Sequence, residues 1–266
     1  MTLAELELPH WNAIQQRDRL LGCSLTGWKD AFAMRDGDED EDDGFEEMLM
    51  EWLREAAHEE AVEYAKKLRV SPPLLVTTVK PEGTLSQVAG GVSSGLHYSH
   101  APYYIRRIRI NTDDPLTKVA KELGWKVVPD PTTKGRTSVI EFYVKSGANK
   151  TKNDVYIDEQ FDTYFRFQKY YTDHNSSNTI HVRPDEWERA EEIVWNRWDE
   201  YTAVSFISYD GGTYNLAPYE EISAEQYEEL SAKMKPFDPS LLAKYETGDD
   251  FDIGTDGCES GACPIR

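Results

Sequence analysis

Apolar positions recur at helical spacing in the first quarter of the chain, and short β-branched runs follow. Trp11, Ile14, Leu20 and Leu21 share one side of residues 10–32, which predicts a helix weakened by Gly22 and Gly27. Phe45, Met48, Leu49, Trp52, Leu53, Ala56 and Ala57 keep the same period, so a long amphipathic helix is predicted to about residue 68, with Met and Trp as core packing. Ser71-Pro72-Pro73 ends it, and the unbroken apolar and β-branched run 74–79 predicts a buried strand. Residues 105–110 interleave Ile with Arg, as a strand with one wetter face would. Further helices are predicted at 114–123, 158–171 and 184–198, the last opened by Pro184-Asp185-Glu186. Strands are predicted at 137–144, 179–182 and 203–208. Strands separated by helices predict an α/β layout with parallel pairing. No internal repeat is visible, and past about residue 245 the chain reads as a linker.

Composition narrows this picture. A chain of 266 residues, 39% hydrophobic and 12% aromatic, has the content of a globular protein. No apolar run approaches the roughly 18 residues of a membrane span, and no basic-then-apolar leader opens the chain. A formal charge of −20 argues against a protein that grips nucleic-acid phosphates with Lys and Arg. Residues 36–47 (DGDEDEDDGFEE) concentrate nine carboxylates and read as a solvated, self-repelling loop. They lack interleaved His and the fixed spacing of a calcium loop. Three cysteines are too few and odd in number for a secreted disulfide framework, which predicts a reducing cytoplasm.

Two segments carry candidate chemistry. Residues 79–86 (VKPEGTLS) follow the predicted strand and turn through Pro and Gly into Thr and Ser. Such a turn offers backbone N–H groups and hydroxyls to an anion, although an ordinary Ser/Thr turn has the same composition. The glycine spacing is not that of a P-loop. Residues 87–95 (QVAGGVSSG) continue the small character that lets backbone approach a ligand closely. The second segment is the end of the chain, where four residues separate Cys258 from Cys263, beside Gly257 and Gly261. No further Cys or His lies at zinc spacing, so no metal site is predicted there. A tether of roughly a dozen residues spans about 20 Å as a coil and about 40 Å extended, enough for a dithiol to visit a distant disulfide. Cys23 reads as a buried small hydrophobe in a helix. His97 and His100 read as structural or substrate-facing. His174 and His181 flank the polar stretch 175–178, which suits a ligand or a turn equally.

Taken together, VTTVKPEGTLSQVAGGVSSGLHYSHAPYYIRRIRI (76–110), HNSSNTIHVRPDEW (174–187) and CESGACPIR (258–266) resemble the C-terminal part of class II, adenosylcobalamin-dependent ribonucleotide reductases, in particular those that act on ribonucleoside triphosphates. RDRLLGCSLTGWKDAF (17–32) is similar to a helix of the same family, and the resemblance is weakest in the acidic loop. It implies the C-terminal portion of the ten-stranded α/β barrel of ribonucleotide reductases, incomplete without an N-terminal half. Residues 1–245 would form that portion, with the acidic loop at about 36–44, and 246–266 a flexible redox tail.

The resemblance also implies roles. Glu82, Gly83, Thr84, Leu85 and Ser86 match the loop that holds substrate phosphates. Cys258 and Cys263 match the pair that re-reduces the active-site disulfide and then exchanges with thioredoxin or a similar dithiol. In the family a thiyl radical, generated with adenosylcobalamin, takes the ribose 3′ hydrogen and a cysteine pair reduces the 2′ carbon. Those thiols belong to segments upstream of the matched region, and Cys23 matches none of them. The expectation is therefore one half of a split reductase, inactive alone, whose partner carries the thiyl cysteine. The alternative is a truncated remnant acting as a non-catalytic redox or regulatory protein. Adjacent tyrosines at 103–104 and 170–171 leave the iron-dependent class as a lesser alternative.

Overall fold

The structure, a computed structural model, describes residues 2–33, 44–148, 150–209 and 215–246. In chain order it has α1 (Pro9–Asp18), α2 (Trp28–Ala33), α3 (Phe45–Leu68), α4 (Leu85–Val88), β1 (Tyr103–Asn111), α5 (Pro115–Glu122), β2 (Val127–Pro129) and β3 (Thr137–Lys145). Then follow α6 (Ile157–Tyr170), β4 (Ile180–Val182), α7 (Trp187–Asn196), β5 (Phe206–Ser208), β6 (Tyr219–Glu221) and α8 (Ala224–Ser231). The chain divides into two compact units, Met1–Ser99 with Ala148–Tyr209, and His100–Gly147 with Asp210–Arg266. Among the described residues no helix is long and apolar enough to cross a membrane.

The first unit is built on parallel pairing. Residues 21–24 run beside 75–80, which run beside 174–178, joined by the parallel bridges Cys23–Thr77 and Val79–Ser176. β4 and β5 continue the parallel arrangement, with Ile180 opposite Phe206. Parallel neighbours need a crossover, and α7 supplies it between β4 and β5. α6 buries Ile157, Phe161, Tyr164 and Phe165 against Ile180 and Val182 of β4 and Ala190 and Ile193 of α7. Those α6 positions sit at i, i+4, i+7 and i+8, one stripe of a helix. Asp158 and Glu159 lie in its first turn, and the Glu186 carboxylate accepts the Ile157 N–H at 3.0 Å. A second cluster joins Trp28, Met50, Val79, Leu96, Phe167 and Tyr171. The predicted strand at 74–79 is not a regular strand: it is an extended segment with isolated bridges at Thr77 and Val79, and Leu74 is exposed.

Asp173 holds this arrangement at its centre. Its side chain is only 5% exposed, and it bonds Arg54 at 2.7 Å and His58 at 2.7 Å, both on α3. It also accepts the N–H groups of Val76 at 2.9 Å and Thr77 at 3.2 Å. Burial alone would raise its pKa. The two backbone bonds, with Arg54 and His58 behind them, hold it well below the usual carboxylate range.

The second unit is antiparallel, which differs from the all-parallel expectation. Its sheet order is β2-β3-β1-β6, and β1 and β3 pair along their full lengths from Tyr103–Lys145 to Asn111–Thr137. The predicted wet face of β1 is absent. Arg106 and Arg107 are each 6% exposed. Arg107 faces Glu141 at 2.9 Å across the ladder, Arg109 meets Asp130 at 2.8 Å, and the Arg106 guanidinium lies 4.4 Å from the centre of the Tyr219 ring. Carboxylates on neighbouring strands, invisible to a local pattern, let the arginines turn inward. α5 is capped by Asp114, which accepts the Leu116 N–H, and α8 by a Ser223–Gln226 capping box.

The predicted helix at 10–32 is interrupted. α1 stops at Arg19, whose φ is 49°, and helix resumes only at Trp28. Between them the Leu21 and Cys23 N–H groups donate to the carbonyls of Leu75 and Val76. Tertiary ladder bonds override the helical spacing there. Cys23 is consequently exposed rather than buried in a helix. The acidic run also ends differently from a solvated loop: Glu46 accepts from the Trp28 indole and pairs with Arg166 at 3.0 Å.

Replacing Asp173 with Asn should lower unfolding stability by about 3 kcal/mol, because Arg54 loses its counter-charge and the Val76 and Thr77 N–H groups lose a charged acceptor. The depressed carboxylate contributes its stability fully above its unfolded pKa of about 3.9 and loses it as pH falls toward the lower folded value. Urea unfolding between pH 7 and pH 2 should therefore show a shallower acid limb in D173N than in the wild type.

Candidate functional site

The loop after residue 80 is positioned from both sides. The Lys80 N–H donates to Ser24 Oγ at 2.8 Å, and Thr78 Oγ1 donates to the Asn175 carbonyl at 3.0 Å. The chain then turns through Glu82, which adopts a positive φ of 54°, into the single turn of α4. Within that turn the Ser86 N–H bonds back to the Glu82 carbonyl at 2.9 Å. Among the described residues no acceptor takes the N–H groups of Gly83, Thr84 and Leu85. Thr84 and Leu85 are exposed. Three consecutive unengaged N–H groups beside an exposed Thr are donors available to an anion's oxygens.

Ser86 differs from its neighbours. It is fully buried, its hydroxyl lies 3.1 Å from Ser94 Oγ, and its carbonyl accepts the N–H groups of Gly91 and Val92. Ser86 ties the loop to the glycine-rich return, leaving the N–H groups of Gly83, Thr84 and Leu85 unengaged. That return is held in turn by α2 and its approach. The Ser93 N–H donates to Asp30 Oδ2 at 2.7 Å, the Gly95 N–H donates to Thr26 Oγ1 at 3.0 Å, and the Thr26 hydroxyl donates to the Ser93 carbonyl at 3.1 Å. Burial pushes the Asp30 carboxyl up, against the bonds from Ser93.

Two histidines of this unit bond the backbone through their rings. His97 bonds the Ser94 carbonyl at 2.9 Å through Nδ1 and the Thr179 N–H at 3.0 Å through Nε2. His174 Nε2–H donates to the Leu21 carbonyl at 2.8 Å. Burial, with Lys152 and His97 nearby, pushes His181 down to about 4. In the other unit His100 stacks on Tyr219 at 5.1 Å. The described residues contain no group of three or more His, Cys, Asp or Glu placed to hold a metal ion. A shallow groove of ≈ 370 Å³ along α3 is lined by Trp52, Leu53, Glu55 and Glu59 among others.

No family model matches the chain. The adenosylcobalamin-dependent ribonucleoside-triphosphate reductase of Lactobacillus acidophilus is 35% identical over 211 residues, which cover 76% of this chain and 28% of that protein. The protein of the same description from Euglena gracilis is 32% identical over 239 residues, covering 85% of this chain and 31% of its own length. A crystal structure of a B12-dependent, class II ribonucleotide reductase superposes with a TM-score of 0.74 at 28% identity, covering 88% of this chain and 36% of that one. The chain is a homologue of one part of the class II ribonucleotide reductases. It spans about a third of the length of these relatives, and its α/β fold corresponds to part of the reductase structure.

In this reductase homologue, Glu82, Gly83, Thr84, Leu85 and Ser86 lie together on one loop, whereas Cys258 and Cys263 lie outside the described residues. Local reading missed Asp173 and Asp30, which bind across 97 and 63 positions of sequence and carry no local signature. Gly27 and Gly95 did leave a signal. Gly95 has a φ of +55°, and a Cβ there would sit 2.8 Å from the Lys80 carbonyl oxygen. Gly95→Ala should therefore cost about 1–3 kcal/mol of strain, measurable as a lower thermal midpoint, and should displace the start of the loop.

Proposed function

We propose that this chain supplies the substrate-phosphate loop and the re-reducing dithiol of an adenosylcobalamin-dependent ribonucleoside-triphosphate reductase, acting with an N-terminal reductase half that carries the thiyl cysteine. The observation that carries this reading is the row of unengaged N–H donors at Gly83, Thr84 and Leu85, on a segment homologous to such enzymes. These donors, the Thr84 hydroxyl and the backbone of Glu82 would bind the triphosphate, with Ser86 anchoring the turn from behind. Bonds from fixed N–H groups to an anion are charge-assisted and cost little reorganisation.

The reduction removes the 2′ hydroxyl as water and leaves a disulfide on the partner half. A Cys258 or Cys263 thiolate attacks that disulfide, and the second tail thiol resolves the mixed disulfide. The tail then carries a disulfide that thioredoxin or a similar dithiol reduces. Each cycle moves two electrons from the external dithiol to the nucleotide. A reducing cytoplasm suits this traffic. Adenosylcobalamin supplies the radical chemistry of the named relatives.

Mixing this chain with an N-terminal reductase half, adenosylcobalamin, a ribonucleoside triphosphate and a thioredoxin system should yield deoxynucleotide, and neither chain alone should. Thr84→Val should raise KM for the triphosphate about 10- to 150-fold, the loss of one hydrogen bond to a charged group. Cys258→Ser should abolish turnover with thioredoxin while a small dithiol that reaches the buried disulfide restores part of it. Undiminished thioredoxin-dependent turnover in C258S would rule out the tail's role. Absence of product from the mixed chains would favour a non-catalytic redox or regulatory protein.

A further inference from the structure

The His97 ring joins the return arm of the loop to the chain entering β4. A Thr179 N–H needs an acceptor, so Nε2 bears no proton, and the Ser94 carbonyl needs a donor, so Nδ1 bears one. The contacts thus define one neutral tautomer. Ser94 also accepts the backbone N–H of His97 at 3.0 Å, which fixes its peptide, and its hydroxyl reaches the buried Ser86 hydroxyl at 3.1 Å. Ser86 in turn closes the turn that carries Gly83, Thr84 and Leu85. A continuous chain of contacts therefore runs from Thr179 through His97, Ser94 and Ser86 to the unengaged N–H donors.

We infer that His97 is a positioning residue for the loop at 82–86, holding it against the β4 segment through a single neutral tautomer and the Ser94–Ser86 hydroxyl pair. This rests on the phosphate-binding reading of that loop. Burial favours the neutral ring, and the titratable group facing it is His181 of β4, itself held neutral by burial and by Lys152. Neither neighbour offers a carboxylate that would stabilise an imidazolium. Protonation would put a donor on Nε2 opposite the Thr179 N–H, so the bridge is present above the ring's lowered pKa and opens as pH falls through it.

Three measurements on the full chain test the inference. In a sample with 15N-labelled histidine, the His97 ring should show a protonated Nδ1 and a bare Nε2 at pH 7; the opposite tautomer overturns it. His97→Leu should speed amide exchange at Gly91, Val92 and Gly95 while the α6 amides stay protected. His97→Gln, whose amide oxygen can take the Thr179 N–H, should restore slow exchange. Unchanged loop exchange in H97L, or equal loss in H97L and H97Q, overturns the inference. Inorganic tripolyphosphate binding by calorimetry should weaken about tenfold in H97L. It should weaken about threefold in Ser94→Ala, which keeps the His97 contacts and removes only the link to Ser86. Wild-type affinity in S94A overturns the relay even where H97L fails to fold. A wild-type chain that binds no tripolyphosphate sinks the phosphate reading instead, and the exchange and tautomer measurements still decide the role of His97.

Discussion

The first unit depends on one buried carboxylate. Asp173 gathers the Arg54 and His58 side chains from α3 and two backbone N–H groups from the extended segment at 75–80. A carboxylate this far from water is stable only when fully bonded, so each of its four partners is held in place by the others. The consequence is structural. α3 covers the central extended segment, that segment lies between residues 21–24 and 174–178, and the loop after residue 80 leaves the ladder at a defined point.

From that point the chemistry is a matter of which backbone groups are used and which are left. Ser86, Gly91, Val92 and Gly95 spend their donors inside the unit, on Glu82, on Ser86 and on Thr26. Gly83, Thr84 and Leu85 do not. Rigid surroundings make this difference useful, because fixed donors meet an anion without first losing conformational freedom. The second unit solves its polar burial separately, by pairing Arg107 and Arg109 with Glu141 and Asp130 within one antiparallel sheet.

Much of the secondary structure was legible because it rests on local periodicity. α3, α5, α6, β3 and β4 fall close to the predicted ranges, each with a one-sided apolar stripe or an unbroken β-branched run. Failures came where distant bonds outweighed local pattern. Cys23 looked helical by spacing, yet the carbonyl of Val76 claims its N–H. Arg106 and Arg107 looked wet, yet Glu141 and Tyr219 are supplied by other strands. α8 was missed although its Ser223–Gln226 box stood in the sequence, because the helix carries no buried stripe.

By itself the sequence determined the relationship to class II ribonucleotide reductases, through ordered short segments, and the location of the loop at 82–86 by its Pro-Glu-Gly-Thr turn. Residue types and their order are enough for both. Only the tertiary structure decided which N–H groups of that loop stay unengaged, that Ser86 faces in, and that His97 is spoken for at both nitrogens. Those outcomes depend on acceptors dozens of residues away, and a linear pattern holds no record of which distant carbonyl a given N–H will meet.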